Sequence, residues 1–245
     1  MGGSRLRVES VSHARGTFVY MSGTEYPKIN GLYKRGERGK IIAGEFSRPE
    51  FEYLADLPWQ WTEKIDGTNI RLTYEGPTLL DAPEVYVAGR TDNAQIPPKL
   101  LAACTSILRT SPFAEVFPDA ASGDERVVLY GEGYGAGIQK GGGNYRPDAG
   151  FVLFDVRVGP WWLSRENVVD VAEKLGIDVV PLVDFGATHG KAAPIGVAES
   201  FVVNGWITSQ WDGVDPEGIV GRPLVPLFDN RGERITVKIK RKDYA

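Results

Sequence analysis

The segment that most constrains this chain is WTEKIDGTNIR at residues 61–71, which places a lysine two residues before an Asp-Gly turn. After the turn, Ile70, Leu72 and Tyr74 alternate with polar residues, which predicts a β-strand. Lys64 is therefore expected at the mouth of a hairpin-like turn. A lysine held there, close to other cations, can lose its proton and act as a nucleophile. The alternative is an exposed lysine beside an ordinary turn, because a four-residue pattern alone is a weak signal.

Composition excludes several other classes of protein. The chain has 245 residues, of which 42% are hydrophobic and 24% charged, so it can bury a sizeable core as one large domain spanning residues 1–245. Its one cysteine, Cys104, excludes an internal disulfide framework and a cysteine-rich zinc site. No apolar run approaches the length of a membrane span, and we expect a cytoplasmic protein without a membrane partner.

The charge pattern bears on nucleic-acid binding. A net charge of −4 argues against a protein that coats nucleic acid indiscriminately, although it is compatible with a local basic groove. The basic segment KRGERGK at residues 34–40 is either a solvated hairpin tip, as most charge runs are, or a contact to polyphosphate or an RNA backbone. His13 and His189 lie far apart in sequence, which argues against histidine acid–base chemistry.

Apolar spacing predicts short strands and a few helices. Helices are predicted at residues 49–57, 98–108, 164–175 and 194–203. Strands are predicted at residues 5–11, 17–21, 70–74, 85–88, 125–132, 151–158, 177–182, 219–220 and 234–240. This arrangement favours an α+β fold with antiparallel sheets flanked by helices over a doubly wound parallel sheet. The loop at residues 133–147 contains six glycines, which suits a lid or a substrate-facing loop.

Four later segments give the lysine motif its context. They are LYGE at residues 129–132, FVLFDV at 151–156, PEGIV at 216–220 and VKIK at 237–240. Together with residues 61–71, and in this order, they resemble the motifs of the covalent nucleotidyltransferases, which comprise ATP-dependent DNA and RNA ligases and mRNA capping enzymes. The resemblance covers roughly residues 60–241. It implies the ATP-grasp-like adenylyltransferase domain of the ligases, with two antiparallel sheets flanked by helices.

Within this superfamily, the chain most resembles the T4-phage type-two RNA ligase family. The matching segments are GAGIQK at residues 135–140, Phe154-Asp155 and Gly89-Arg90-Thr91. Asp66 departs from the histidine of the T4 enzyme and follows the wider Lys-x-Asp-Gly pattern instead.

Two further lysines are candidates for the same site. Residues two apart on a strand share a face, so Lys238 and Lys240 point one way while Val237 and Ile239 point the other. Nearby ammonium groups would lower the pKa of Lys64 and balance charge on the α-phosphate of a nucleotide. The resemblance implies this catalytic role for Lys238 and Lys240, although an amphipathic edge strand alone would look the same.

The resemblance also assigns roles to two carboxylates and two nucleotide contacts. Glu217 occupies the place of a metal-linked carboxylate, and Glu132 that of a carboxylate near the ribose and the reaction centre, where it can also serve the metal. Without the other motifs, each glutamate would be an exposed strand-end residue. Phe154 is expected to stack on the adenine rather than pack in the core. Arg90 is expected to contact the nucleotide or its phosphates.

Residues beside the nucleophile complete the expected site. The resemblance places Glu63, Ile65 and Asp66 beside the nucleotide, and it implies that Asn69 is needed for sealing. Together these assignments imply an ATP-dependent RNA ligase that uses Mg2+ or Mn2+. Lys64 would form a lysyl-AMP, AMP would pass to an RNA 5′-phosphate, and a 3′-hydroxyl would displace it. Such an enzyme would serve RNA repair in the cytoplasm, or in the host cytoplasm if a phage encodes it.

Alternatives stay open at this point. The chain stops at Ala245, just after the last motif, so we expect no appended C-terminal domain. It is then a minimal ligase, or a catalytic domain that relies on a protein partner for its grip on nucleic acid or was cut from a longer chain. A DNA-nick ligase or a guanylyltransferase would share the same motifs. A non-catalytic nucleotide-binding module is the third reading, because fold does not fix function.

Overall fold

The structure is a computed structural model that describes residues 7–10, 24–76, 84–121 and 125–245. The chain divides into two units. Unit 1 contains Met1–Tyr26 and Asp66–Val179, and unit 2 contains Pro27–Ile65 and Val180–Ala245. The strand predicted at residues 17–21 and His13 lie outside the described residues.

Short strands dominate the secondary structure. The described strands are β1 Arg7–Ser10, β2 Asn30–Gly31, β3 Tyr33–Arg35, β4 Ile41–Phe46, β5 Trp59–Lys64, β6 Thr68–Glu75, β7 Glu84–Gly89, β8 Arg126–Gly135, β9 Ala149–Val158, β10 Trp161–Trp162, β11 Asp178–Val179, β12 Ala192–Ala193, β13 Gly218–Pro223 and β14 Val237–Lys240. The described helices are α1 Pro49–Tyr53, α2 Pro98–Thr110, α3 Phe113–Val116, α4 Pro118–Ala121, α5 Arg165–Leu175 and α6 Ile195–Val203.

Unit 1 is built on one large sheet. Its described strands run in the order β1-β7-β6-β8-β9-β10, and β11 also pairs with β9. Along β6 the predicted alternation is confirmed, since Ile70, Leu72 and Tyr74 are buried in one hydrophobic cluster. Residues of α2 and α5, including Cys104 and Val168, complete this cluster. One face of the sheet is therefore packed by helices, and the other face is left for different side chains.

In unit 1 the sequence signals locate both ends of α5 and the start of α2. The end of α2 lies two residues beyond the predicted residue 108, and α3 and α4 were not predicted. The Ser164 hydroxyl accepts a hydrogen bond from the backbone N–H of Asn167 and caps α5. At its other end, Gly176 adopts a left-handed φ of 68°, which favours glycine. Pro98 is the first residue of α2, a position whose backbone N–H makes no hydrogen bond within the helix, so proline is tolerated there. Cys104 is fully buried on the inner face of α2, as its spacing predicts.

Unit 2 contains a second sheet and a separate hairpin. The second sheet has the order β12-β5-β13-β14-β2, and β3 pairs with β4 in the hairpin. Trp59 and Trp61 are fully buried behind β5, with ring centroids 6.0 Å apart. Val237 and Ile239 are buried on the same side of the sheet, so the predicted division of β14 into an apolar face and a charged face is confirmed.

The predicted α+β class with two flanked sheets is confirmed, with two adjustments. Three strand pairs at the sheet margins are parallel: β1 with β7, β11 with β9, and β2 with β14. The helical turn predicted at residues 49–57 is shorter and ends at Tyr53, after which Leu54 leaves the helical conformation. Among the described residues, none of the helices is both long and apolar enough to cross a membrane.

The close approach of β13 to Trp61 yields a stability prediction. A Cβ placed on Gly221 would lie 2.4 Å from the Trp61 ring, so we expect Gly221→Ala to lower the free energy of unfolding by about 1–3 kcal/mol through overpacking. Gly196 in α6 is the matched control, because a Cβ there meets no atom within 4 Å. We expect Gly196→Ala to raise stability by about 0.5–1 kcal/mol through helix propensity. Urea unfolding measures both, and an unchanged Gly221→Ala midpoint would contradict the packing argument.

Candidate active site

The strand register of unit 2 aligns the three predicted lysines. Gly218 of β13 lies directly across from Lys64 on one side and from Lys240 on the other. Val220, two residues along, lies across from Lys238. Because side chains two apart on a strand share a face, all three lysines project from the side of the sheet opposite the tryptophans. We call Lys64, Lys238 and Lys240 the lysine row.

Gly218 keeps the middle of the lysine row free of a side chain. A Cβ at this position would lie 2.1 Å from the carbonyl oxygen of Ile239 and 2.8 Å from the Cα of Lys240. A larger residue therefore cannot occupy it without moving β14. The preceding residue, Glu217, lies at the entry to β13 and can reach the lysines on both flanking strands.

Glu217 joins two of the three lysines. The Nζ of Lys64 donates to Glu217 Oε2, and the Nζ of Lys240 donates to Oε1 at 2.6 Å. Burial acts to raise the pKa of Glu217, but the hydrogen bonds and charges of the two lysines outweigh it and hold the pKa below its ordinary value. Glu217 is therefore an anion, and both of its oxygens hold ammonium groups.

Lys238 has no ion pair with a described residue. Burial, together with the charges of Lys240 and Lys64, lowers its pKa from 10.5 to about 8. Glu217 opposes this shift, and the charge of Lys28 adds to it. The lysine row and Lys28 thus place four cations around one carboxylate. Such a surplus of positive charge suits a polyphosphate anion.

Glu63 lies apart from the lysine row. It alternates with Lys64 along β5, so its side chain points to the buried side of the sheet and is 3% exposed. Neither of its carboxylate oxygens has a hydrogen-bond partner of good geometry among the described residues, although Ser209 and the backbone of Gln210 act to lower its pKa. Burial raises its pKa. Its contact with a nucleotide stays a prediction, as does that of buried Ile65.

In unit 1, the predicted residues share the sheet face that the helices leave free. Asn69 of β6 lies directly across from Glu132 of β8, and both are partly exposed. The Oδ1 of Asn69 is buried, with no hydrogen-bond partner among the described residues. In the preceding turn, Asp66 is exposed and Gly67 is tightly enclosed, since a Cβ on Gly67 would lie 2.3 Å from the carbonyl oxygen of Gly133.

Phe154 occupies a β-bulge, which the sequence pattern did not predict. Tyr130 pairs with Asp155 and Gly131 pairs with Leu153, so Phe154 has no partner on β8. A bulge redirects a side chain, and bulges are frequent beside active sites. Phe154 is accordingly only partly buried, and Tyr26 meets its ring edge-on at 5.0 Å. The stacking of Phe154 on an adenine stays a prediction.

Arg90 lies in an exposed turn that a buried arginine organises. The guanidinium of Arg71, 1% exposed, donates to the carbonyl of Gly89 at 2.8 Å and to Asp92 Oδ1 at 2.5 Å. A third hydrogen bond runs to the hydroxyl of Thr24 at 2.6 Å. Arg71 thus fixes both ends of the turn that presents Arg90. Sequence reasoning missed this residue, because in the sequence Arg71 is one of the alternating polar positions of β6.

The glycine-rich loop is hydrogen-bonded to the Asp-Gly turn. The side-chain amide of Gln139 donates to the carbonyl of Gly67 at 3.1 Å, and the backbone N–H of Asp66 donates to the hydroxyl of Tyr145 at 3.3 Å. The sequence predicted a permissive loop here and gave no signal for these contacts. They tie the loop to the residues that follow Lys64.

The low pKa of Lys238 yields a prediction about stability. A cation that burial and like charges disfavour destabilises the folded state, so we expect Lys238→Met to raise the free energy of unfolding near pH 7 by about 1 kcal/mol, allowing for partial solvation. The gain should shrink as the pH rises through about 8, because the folded wild type then loses this proton while the unfolded chain keeps it to about 10.5. Urea unfolding at a series of pH values measures it, and a loss of stability at neutral pH would contradict it.

The RNA ligase family model matches residues 57–240. A Naegleria gruberi RNA ligase variant solved with ATP and Mn has 18% identity and a TM-score of 0.55, covering 89% of this chain and 62% of that one. An archaeal ATP-dependent RNA ligase has 19% identity and a TM-score of 0.53, covering 90% and 49%.

The Naegleria gruberi RNA ligase solved with pyrophosphate gives the same TM-score of 0.55 at 18% identity. This chain spans about half to three fifths of the length of these structures. No curated protein matches it. The structural matches support the fold, and the family model, which includes every predicted site residue, covers most of the sequence. The chain belongs to the RNA ligase family.

Proposed function

We propose that this protein is an ATP-dependent RNA ligase in which Lys64 forms a covalent adduct with AMP. The observation that carries the proposal is the lysine row of unit 2, where Lys64 and Lys240 pair with the carboxylate of Glu217 and Lys238 lies on the same sheet face without an ion pair to a described residue. A structural role does not require such a surplus, since like charges on one sheet face repel. The Naegleria gruberi ligase solved with ATP and Mn is consistent with this reading.

Lys64 acts as the nucleophile. In the first step its Nζ gives up a proton to solvent and attacks the α-phosphorus of ATP, forming a nitrogen–phosphorus bond as the bond to pyrophosphate breaks. The Nζ of Lys64 is hydrogen-bonded to Glu217, so this contact has to break before the attack. Incoming phosphates can bring this about by competing for the same cations.

Lys238 and Lys240 stabilise the charge that develops in this step. They lie on the strand beyond Gly218, on the face that Lys64 shares. Ammonium groups fixed in advance lower the barrier more than mobile solvent does, because they need no reorganisation. We therefore assign both lysines to the α-phosphate and the leaving pyrophosphate.

The predicted carboxylates suit a divalent cation that takes most of its ligands from water and substrate phosphates. Mg2+ is commonly bound by one or two carboxylates, waters and substrate phosphates. In unit 2, Glu217 would offer one carboxylate beside the lysine row, and in unit 1 Glu132 is a separate candidate ligand. The described residues contain no cluster of three or more metal-ligating side chains. When bound, Mg2+ or Mn2+ supplies charge neutralisation to the phosphate oxygens.

Residues of unit 1 serve the nucleotide and the later steps. We assign Phe154 to the adenine face, Arg90 to the nucleotide or its phosphates, and Asn69 to sealing. Asp66 flanks the adduct. In the second step the AMP passes from Lys64 to an RNA 5′-phosphate. In the third, an RNA 3′-hydroxyl attacks that activated phosphate and AMP leaves.

The sequence motifs also support proposals about the domain, the subfamily and the cellular role of this protein. We propose a single nucleotidyltransferase domain over residues 1–245 that is closest to the T4 type-two RNA ligases. We further propose that it works in cytoplasmic RNA repair. A protein partner can supply additional grip on RNA.

The first step has a direct test. We expect the wild type to gain the mass of one AMP on incubation with ATP and Mg2+ or Mn2+, after pyrophosphate treatment to remove any adduct already present. Lys64→Ala should gain none, because the acceptor amine is gone. Lys174→Ala is the matched control, since this lysine is exposed on α5 and, among the residues that the structure describes, pairs with Asp170 alone. Intact-mass spectrometry reads the result.

Two outcomes would overturn the assignment. An adduct that persists in Lys64→Ala would place the nucleophile elsewhere. An adduct from GTP but not from ATP would indicate a guanylyltransferase.

A further inference from the structure

The β3–β4 hairpin of unit 2 is exposed on both faces. Every residue from Lys34 to Lys40 is exposed, and so is every residue from Ile42 to Glu45. A strand that covers a core alternates between buried and exposed positions, and neither arm of this hairpin does so. The hairpin therefore contributes little to the core of its unit beyond its base.

Positive charge is concentrated at the tip of this hairpin. Residues 34–40 contain four cations and one anion in a chain whose net charge is −4. Lys34 pairs with Glu45 at 3.4 Å, with both side chains more than half exposed, and Arg35 pairs with Asp243 at 2.6 Å. Arg38 and Lys40 make no ion pair with any described residue. Their charges are available to an anion from solution.

The tip is held in a defined conformation that disfavours an arginine. The backbone N–H of Gly36 donates to the carbonyl of Lys40 at 2.9 Å, and the guanidinium of Arg35 donates to the carbonyl of Gly39 at 2.7 Å. Between them Arg38 has a φ of 59°, the one positive φ of a non-glycine residue in the described chain. That conformation costs an L-residue about 1 kcal/mol, and glycine would relieve it. An arginine at this position is understandable if its guanidinium binds an anion.

The base of the hairpin is fixed to the strand that carries two of the lysines. The hydroxyl of Tyr33 donates to Glu199 at 2.8 Å, and the hydroxyl of Tyr244 donates to the other oxygen of Glu199 at 3.0 Å. The backbone N–H of Leu32 donates to the carbonyl of Lys238 at 3.2 Å. The hairpin is thus an anchored projection of the sheet that presents the lysine row.

We propose that this hairpin binds the sugar–phosphate backbone of the RNA substrate through Arg38 and Lys40. The inference rests on the proposed ligase function and adds a substrate contact that lies outside the lysine row. Two exposed cations on a projecting hairpin do not form a pocket. They can still contact the phosphodiester oxygens of a nucleic acid, because these lie on its outer surface. Such contacts are independent of sequence and strongly dependent on salt. The triphosphate of ATP offers the same chemistry, and the experiment separates the two sources.

The test uses the full chain with both charges removed. In Arg38→Gly/Lys40→Gln, glycine suits the left-handed φ, so we expect thermal stability equal to or above that of the wild type. The matched control is Lys191→Gln/Arg231→Gln, which removes two exposed cations elsewhere in unit 2. The probes are a fluorescein-labelled nicked RNA duplex and a single-stranded RNA of the same sequence, read by anisotropy over a range of salt concentrations.

We expect the hairpin variant to bind RNA about tenfold more weakly at low salt. The slope of its affinity against salt concentration, both on logarithmic scales, should become shallower for each phosphate that the variant no longer neutralises, by about 0.7 for the single strand and about 0.9 for the duplex. The control pair should match the wild type. Equal RNA affinity in the wild type and the hairpin variant, for both probes, would overturn the proposal. An equally weakened control pair would do so too, since it would reduce the effect to net charge.

Self-adenylylation separates this proposal from the one on which it rests. If the hairpin variant forms the AMP adduct at wild-type rate and ATP dependence but binds RNA weakly, the hairpin contacts RNA. A raised ATP requirement with unchanged RNA affinity would assign it to the triphosphate and overturn our choice. If the wild type itself forms no adduct, the ligase function fails, yet the anisotropy comparison still decides whether the hairpin binds RNA.

Discussion

The ion pairs of Glu217 with Lys64 and Lys240 are the interaction on which the site in unit 2 depends. Without this carboxylate, three ammonium groups would face one another across neighbouring strands. The cations stay close because the other side of the sheet is firmly packed, with Trp61 and Ile239 fully or almost fully buried. The packing of the hydrophobic core thus offsets the electrostatic repulsion among the lysines, and a bound polyphosphate would reduce that repulsion.

Both sheets carry different kinds of side chain on their two faces. In each sheet, the alternation along the strands places apolar side chains on a packed face and the predicted site residues on the opposite face. Asn69 and Glu132 share such a face in unit 1, as the lysine row does in unit 2. The bulge at Phe154 interrupts this alternation locally, because it adds a residue to β9 and changes which side chains lie on the face opposite the helices.

Much of this arrangement could be predicted from sequence, because it depends on local periodicity. The apolar alternation of β6 and the spacing of Lys238 and Lys240 are properties of a few consecutive residues. The caps of α5 are equally local. Long-range contacts could not be derived in this way. The ion pair from Lys64 to Glu217 joins residues 153 positions apart, and the bulge at Phe154 arises from strand register rather than residue type. The burial of Arg71 likewise reflects the tertiary neighbours that satisfy its guanidinium.

The tight enclosure of Gly67 has a consequence for how this turn can diversify. Its Cα faces the backbone of Gly133, so no substitution at position 67 can be accommodated by moving a side chain aside. Asp66, one residue earlier, is exposed, and its backbone N–H rather than its side chain makes the contact with Tyr145. Substitutions should therefore be tolerated better at position 66 than at position 67, so the side chain of Asp66 can change while the backbone path of the turn stays fixed.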